Sequence, residues 1–393
     1  MARSEEAKKL RKEFGLDTIY RLHHLTMGAD PEFFFSTPKN GFVRGAERVI
    51  PEDGIGKRVL YANGAHFTDK MFVLDGVQAE LHPKPCTCRA YFGNDIKLCF
   101  MTLRNELEKN DIKLKPNFSS VVHISKKELN SLSEQSRVFG CKPSHNVYGD
   151  EDATVSVSAA SCTSRWAGGH IHLGAEGAVT RKVLKDRKRL VPVLDILLGN
   201  TCVLLDREPM AAERRKVYGR AGENRLTSYG IEYRTLSNFW LRSYPLASFV
   251  LNMARFCVAI VKAGDNYVKA LMSLVDIDDV EKAINTNDID LAYKNFQKIA
   301  TFFEAIDIRN SDYDDPEKLP TEASPFAFES IEQFLFMASK GVDHWFDADV
   351  MEHWCNIPEG HHCGWETFME NQVEPEYTEW VESGRKPLGS SIL

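Results

Sequence analysis

The stretch "GGHIHLG", Gly168 to Gly174, sets His170 and His172 two residues apart between a glycine pair and a closing glycine. On a strand, side chains two apart share a face, so both imidazoles look into one space. Flanking glycines let other backbone approach closely or let the strand bend. The plain alternative is a strand with two half-buried, hydrogen-bonded histidines, and the stretch taken alone does not exclude it. Three other stretches repeat the period-two pattern. "MGADPEFFF" places Asp30 and Glu32 two apart; "DGVQAELHP" alternates Gln78, Glu80 and His82 with Val77, Ala79 and Leu81; "GIEYRTL" alternates Glu232 and Arg234 with Ile231 and Tyr233. Each alone fits a strand with one wet face. Together, on one concave face, they would bring several carboxylates within a few ångströms. At an effective dielectric near 20, a like-charged pair about 4 Å apart costs roughly 4 kcal/mol. Such a face needs divalent cations or raised pKa values. A majority of oxygen ligands with one or two imidazoles favours Mg²⁺, with Mn²⁺ as the alternative, over zinc. Magnesium keeps open positions that it shares with substrate phosphate, which points to a nucleotide.

A phosphate-bearing substrate also wants fixed positive charge. "ERRKVYGRAGENR" offers Arg214, Arg215, Lys216, Arg220 and Arg225 just before Glu232, with Gly219 and Gly222 allowing a tight loop. Planar guanidinium groups grip phosphate oxygens bidentately. Arg225 and Arg234 carry most of the weight, because Arg234 shares its strand face with Glu232. No GxxxxGK[ST] loop occurs, so a P-loop site is excluded.

The remaining composition sets bounds. At 393 residues and 43% apolar content the chain can fill a substantial core. The net charge of -7 is spread along it, with no basic stripe interleaved with aromatics of the kind that tracks nucleic acid. "RKVLKDRKR" (Arg181 to Arg189) reads as the solvated face of a helix. Nine irregularly spaced cysteines and an N-terminus without an apolar core imply a reducing cytoplasm. "CTC" at Cys86 to Cys88 and the "HWC…HHC" stretch lack the paired spacing of structural zinc sites. The apolar run "PLASFVLNMARFCVAIVKAG", broken by Asn252 and Arg255, reads as a buried helix rather than a membrane span.

Short strand-like runs fill the first two-thirds, among them "FVLDGVQAELHP", "NFSSVVHIS" and "GIEYRTLSNFW". Two helical patterns lie between them, at about 94–112 and about 181–205, the second expected to kink at Pro192. From Pro245 onward the text reads as helices joined by acidic turns, including "SIEQFLFMASKGVDHWF". The fold class expected is α+β, an antiparallel-leaning sheet layer followed by a helical layer.

The order of motifs, "GADPEF", "DGVQAELHP", "GGHIHLG", the arginine-rich segment and "GIEYRTLSNFW", resembles the carboxylate-amine ligases of the glutamine synthetase and glutamate-cysteine ligase superfamily. Within it the chain is similar to the phage-type COOH-NH2 ligase group, also called type 2 amidoligases. The resemblance covers roughly residues 22–245 and lies in the order of five motifs; "FGCKPSHNVYG" (Phe139 to Gly149) adds to it. It implies a curved, mainly antiparallel glutamine synthetase-like sheet with flanking helices. The catalytic core would occupy 1–245, with a mainly helical C-terminal region, 246–393, packed on it. It also implies ATP, two or more Mg²⁺ ions, and an amide formed through an acyl phosphate. Metal ligands would be Asp30, Glu32, Glu80, His170 and Glu232. Arg215, Arg220, Arg225 and Arg234 would hold the nucleotide phosphates. Arg234, Glu80 and His172 would be catalytic, His172 contacting phosphate or substrate. The sequence departs from the family in having Asp30 where a longer glutamate is usual, and only Asp75 loosely matches a second acid ahead of the QxE strand.

Partners expected are ATP and small-molecule or peptide carboxylates and amines, with nucleic acid entering only as a modified-base substrate and no membrane. The helical tail either shapes the acceptor pocket or builds a homo-oligomer interface. The expected location is cytoplasmic, in the host if the gene is a phage's. Three readings compete: a guanidino-kinase-like phosphotransferase on the same scaffold; a metal-dependent hydrolase around His170 and His172, with His145 as the best further ligand; and a non-enzymatic phage protein retaining the fold.

Overall fold

One run of chain, Leu25–Ala29 continued by Glu32–Ser36, organises the sheet in a computed structural model that describes residues 3–20, 22, 24–57, 69–138, 144–149, 162–309, 334, 345 and 349–357. Pro31 has no N–H for a ladder, so the run breaks at Asp30–Pro31 and changes neighbours there. Before the break, Leu25–Ala29 pairs with the histidine strand Ile171–Ala175, which pairs with Gly230–Tyr233, then Glu223–Leu226 and His145–Asn146. After it, Glu32–Ser36 pairs with Gln78–Leu81, whose hairpin partner is Phe72–Asp75. Its outer end also pairs with Val43–Arg44 and Lys115–Asn117. The joint is closed by Glu32 N–H donating to Gly168 O (2.8 Å), Leu81 N–H to Pro31 O (3.0 Å), and a reciprocal bridge between Met27 and Cys86. All these pairings are antiparallel and form one curved, half-barrel sheet. The parallel exception is the small pair Thr18–Tyr20 with Asp307–Arg309, which ties the N-terminal segment to the end of the helical region.

Register then sorts the side chains. His172 lies opposite Glu232 on one neighbour and Gly28 on the other; Arg225 lies opposite Glu232, and Glu32 opposite Glu80. Because alternate residues share a face, Asp30, Glu32, Gln78, Glu80, His172, Arg225 and Glu232 fall on one side. Met27, Ile171, Leu173, Ile231 and Tyr233 fall on the other, buried in the main core.

Helices cover that second side. Tyr244–Ala263 is apolar all round and starts with Pro245 in its first turn. It is long and apolar enough to cross a membrane, but 89% of its apolar window is buried inside the protein, as a core helix requires. The acidic turns of the helical region are N-caps: Asp276 and Asp288 accept from Asp278 N and Leu291 N and start helices Ile277–Thr286 and Ile289–Ala305. The helix expected at about 94–112 runs Arg89–Lys109. The one expected at about 181–205 is divided differently from the expectation. Pro192 sits inside Arg187–Leu194; the breaks come at Asp186 and at a π turn, Asp195–Gly199. "SNFW", read as strand, is part of a 3₁₀ turn, Asn238–Arg242. Residues 139–143 of the "FGCKPSHNVYG" stretch lie outside the described residues, as does "SIEQFLFMASKGVDHWF" apart from Phe334 and Trp345.

Candidate active site

The glycine pair explains how the two histidines reach the curved face. A Cβ on Gly169 would collide with Ser237 O and Trp240 Nε1, and one on Gly168 with the His170 ring and the Tyr218 hydroxyl. Glycine there lets the 234–240 segment run against the strand. Gly169 N–H donates to Leu236 O, and Trp240 Nε1 to Gly169 O, both at 3.0 Å. Arg214 is fully buried and pins the crossing, donating to the carbonyls of Ala167, Thr235 and Leu236. It is a backbone clamp.

Asp30, at the break in the central run, stands between the imidazoles. Its Oδ1 lies 3.2 Å from His170 Nδ1 and 3.1 Å from His172 Nε2, and His170 Nδ1 is 3.4 Å from Glu232 Oε1. Arg225 grips Glu232 bidentately, Nε and Nη2 on Oε2 at 2.6 and 2.5 Å, while Arg234 Nη1 takes Oε1. Among the described residues, Asp30, His172 and Glu232 form a group whose candidate ligand atoms all lie within 4.8 Å of one another. His172, expected to contact phosphate or substrate, is one of these three residues. One step along the same face, Glu32 Oε2 accepts from Gln78 Nε2 (2.8 Å) and Gly168 N–H (2.7 Å), and Glu80 meets His82 Nε2 at 2.6 Å.

The charges are poorly matched without a cation. Burial, then the neighbouring acids Asp75 and Glu80, push the Glu32 carboxyl well above its ordinary range; burial, then Asp30 and Asp75, do the same to Glu80. Burial also raises Asp75. For Asp30, burial works upward but the two imidazoles outweigh it and hold the carboxyl well below its usual value. Burial, then Arg234, lowers His170 to about 4. In His172 the effect of burial is outweighed by Asp30 and Glu232, and the ring is raised. Asp30 Oδ1 and His172 Nε2 are buried and, despite their 3.1 Å approach, make no hydrogen bond. Two orphaned, ligand-competent atoms beside buried acids fit a hard divalent cation.

Two of the arginines expected at the phosphates are not brought to this cluster. Arg215 is buried elsewhere, donating to Asn287 Oδ1 at 2.7 Å and lying 3.9 Å from Asp206. Arg220 turns its guanidinium onto the carbonyls of Arg215 and Lys216. Arg225 and Arg234 are at the cluster, both on Glu232. Two participants carried no signal in spacing: Tyr218, whose ring lies under the Arg214 and Arg234 guanidinium groups (4.6 and 5.4 Å), and Tyr229, stacked on His172 with centroids 5.9 Å apart.

No curated protein matches this sequence. A family model described as "Phage phiEco32-like COOH.NH2 ligase-type 2" matches residues 151–307, less than half of the chain. The matched segment carries His170, His172, the arginines and Glu232; Asp30, Glu32 and Glu80 lie before it and join the site through the sheet register. Over that segment the chain is similar to the phage-type carboxylate-amine ligases that the model describes.

Proposed function

We propose that the protein is an ATP-dependent carboxylate-amine ligase that activates its acid as an acyl phosphate. The observation that carries this reading is the meeting of Asp30, His170, His172 and Glu232 with Arg225 and Arg234 on one face of the curved sheet. Mg²⁺, held by Asp30, His172 and Glu232 with Glu32 and Glu80 alongside, would supply charge neutralisation for the nucleotide's terminal phosphates. Phosphoryl transfer needs positioning and charge stabilisation more than covalent help. Arg225 and Arg234 supply that charge from the protein side, fixed in direction by their grip on Glu232. The substrate carboxylate oxygen attacks the γ-phosphorus and ADP leaves. The amine nitrogen then attacks the acyl carbon, phosphate leaves, and the amine gives up a proton. We assign that proton to Glu80, the carboxylate that lies opposite Glu32 on the same face of the sheet.

The test is a mass-spectrometric screen of pooled acids and amines with Mg-ATP, wild type against Glu80→Gln. Amide and ADP should appear only when acid and amine are both present, and both should drop in the variant. ATP turnover indifferent to the acceptor would overturn the reading, and a stable phosphorylated product would replace it with the phosphotransferase.

A further inference from the structure

Both imidazoles of the pair turn one nitrogen inward, toward Asp30 and Glu232, and both have the outward nitrogen on a tyrosine hydroxyl. For His172 the inner atom is Nε2, and Nδ1 meets Tyr229 Oη. His170 is the mirror case, with Nδ1 inside and Nε2 on Tyr218 Oη. The tyrosines come from different elements. Tyr229 sits in the turn of the hairpin joining Glu223–Leu226 to Gly230–Tyr233, and Tyr218 follows the helix Ala211–Arg215. Both rings are fixed independently of their hydroxyls: Tyr229 by its stack on His172, Tyr218 by the flanking guanidinium groups of Arg214 and Arg234.

A neutral imidazole has one N–H and one lone pair, so a partner on one nitrogen decides what the other offers. A phenol oxygen can accept an N–H, and ligating histidines generally donate their second N–H to such a partner, which fixes the ring and its tautomer. Resting on the proposed metal-dependent function, we infer that Tyr229 and Tyr218 are positioning residues. Each accepts the outer N–H of its histidine, leaving His172 Nε2 and His170 Nδ1 as lone pairs directed at a divalent cation between Asp30 and Glu232. His172 Nε2 is buried and makes no hydrogen bond.

The experiment measures Mn²⁺ affinity by electron paramagnetic resonance, without nucleotide, on the full chain and on Tyr229→Phe and Tyr218→Phe. Both variants keep their rings. Tyr148→Phe, which loses a hydroxyl on the opposite side of the sheet, is the control. The two variants should bind Mn²⁺ about 10- to 100-fold more weakly, with the control unchanged. In Mg²⁺-loaded wild type, ¹⁵N NMR should find the proton on Nδ1 of His172 and on Nε2 of His170. Unchanged affinity in folded variants, an inner N–H on either ring, or no Mn²⁺ binding by the wild type would overturn the inference. Failure here is separable from failure of the ligase reading. A ligating enzyme whose tyrosine variants bind Mn²⁺ normally sinks only this inference, whereas a protein that binds Mn²⁺ through these rings without forming amides sinks only the other.

Discussion

Glu232 and Tyr233 are neighbours on one strand, both fully buried, and they point into two different kinds of polar interior. Tyr233 points to the helical side and donates to Asp195 Oδ1 at 2.6 Å; Tyr148 and Gly222 N–H fill Oδ2, both at 2.8 Å. Each Asp195 oxygen has a donor. The hub ties the π turn to Tyr148 and to Gly222, in the loop leading to Arg225. Glu232 points to the concave side, into a crowd of acids, imidazoles and arginines where Asp30 Oδ1 and His172 Nε2 are left without hydrogen bonds. The same strand therefore carries a polar cluster whose carboxylate oxygens all have donors and one that leaves two ligand-competent atoms without hydrogen bonds.

The largest effect should come from Glu232→Ala, which leaves Arg225 and Arg234 without their shared carboxylate. Breaking a buried ion pair from one side costs about 3–5 kcal/mol, to be read from denaturant unfolding, and ligation should be lost. A variant of near wild-type stability would break the contrast, since it would mean the arginines find other partners.

Next comes the pH dependence of the complete cluster. Burial raises the Asp195 carboxyl to about 7 despite its three donors. The folded state then holds a proton that the unfolded chain releases near pH 4. The contribution is present at low pH and is lost as pH rises from about 4 to 7, up to roughly 4 kcal/mol. Asp195→Asn resembles the protonated form, so its unfolding free energy should lose less than the wild type's across that window. Parallel curves for the two proteins would count against a protonated Asp195.

Tyr233→Phe removes one donor from Asp195 and should destabilise by about 1–3 kcal/mol in thermal or chemical unfolding, while Mn²⁺ affinity stays within error of wild type. A change in metal affinity would show the two sides coupled through the strand. The smallest expected effect has the opposite sign. Glu80→Gln removes an acid that burial and its neighbours disfavour in charged form. Unfolded in the presence of a chelator at neutral pH, this variant should be more stable than wild type by on the order of 1 kcal/mol. Saturating Mg²⁺ should erase the gain, because only the wild type has the extra charge to offer.

Much of the concave face was legible because strand periodicity is exact in kind: HxH, ExR, QxE and DxE each put two polar residues on one side whatever follows. The helical region was legible from its apolar spacing and its aspartate caps. The arginines were not separable in the same way. Arg214, Arg215, Arg220 and Arg225 are alike in sequence, yet one clamps carbonyls, one binds Asn287, one folds back on the carbonyls at the end of the preceding helix and one grips Glu232. A long flexible cation has many places to go, and the backbone path around Gly219 and Gly222 selects among them.

By itself the sequence determined which residues would share a face, that the face would be acidic and imidazole-bearing, and that the described chain from Tyr244 to Ala305 would be mainly helical, because these follow from local period and chemistry. Only the tertiary structure decided that the Asp30–Pro31 break lets one strand join two sets of neighbours and brings Asp30 against both histidines. It alone decided that Tyr218 and Tyr229 take the outer nitrogens and that Tyr233 faces a closed cluster while Glu232 faces an open one. The physical reason is that register and crossing contacts join segments distant in the chain, as when Asn238 Nδ2 donates to Glu32 O. No local window contains both partners of such a contact.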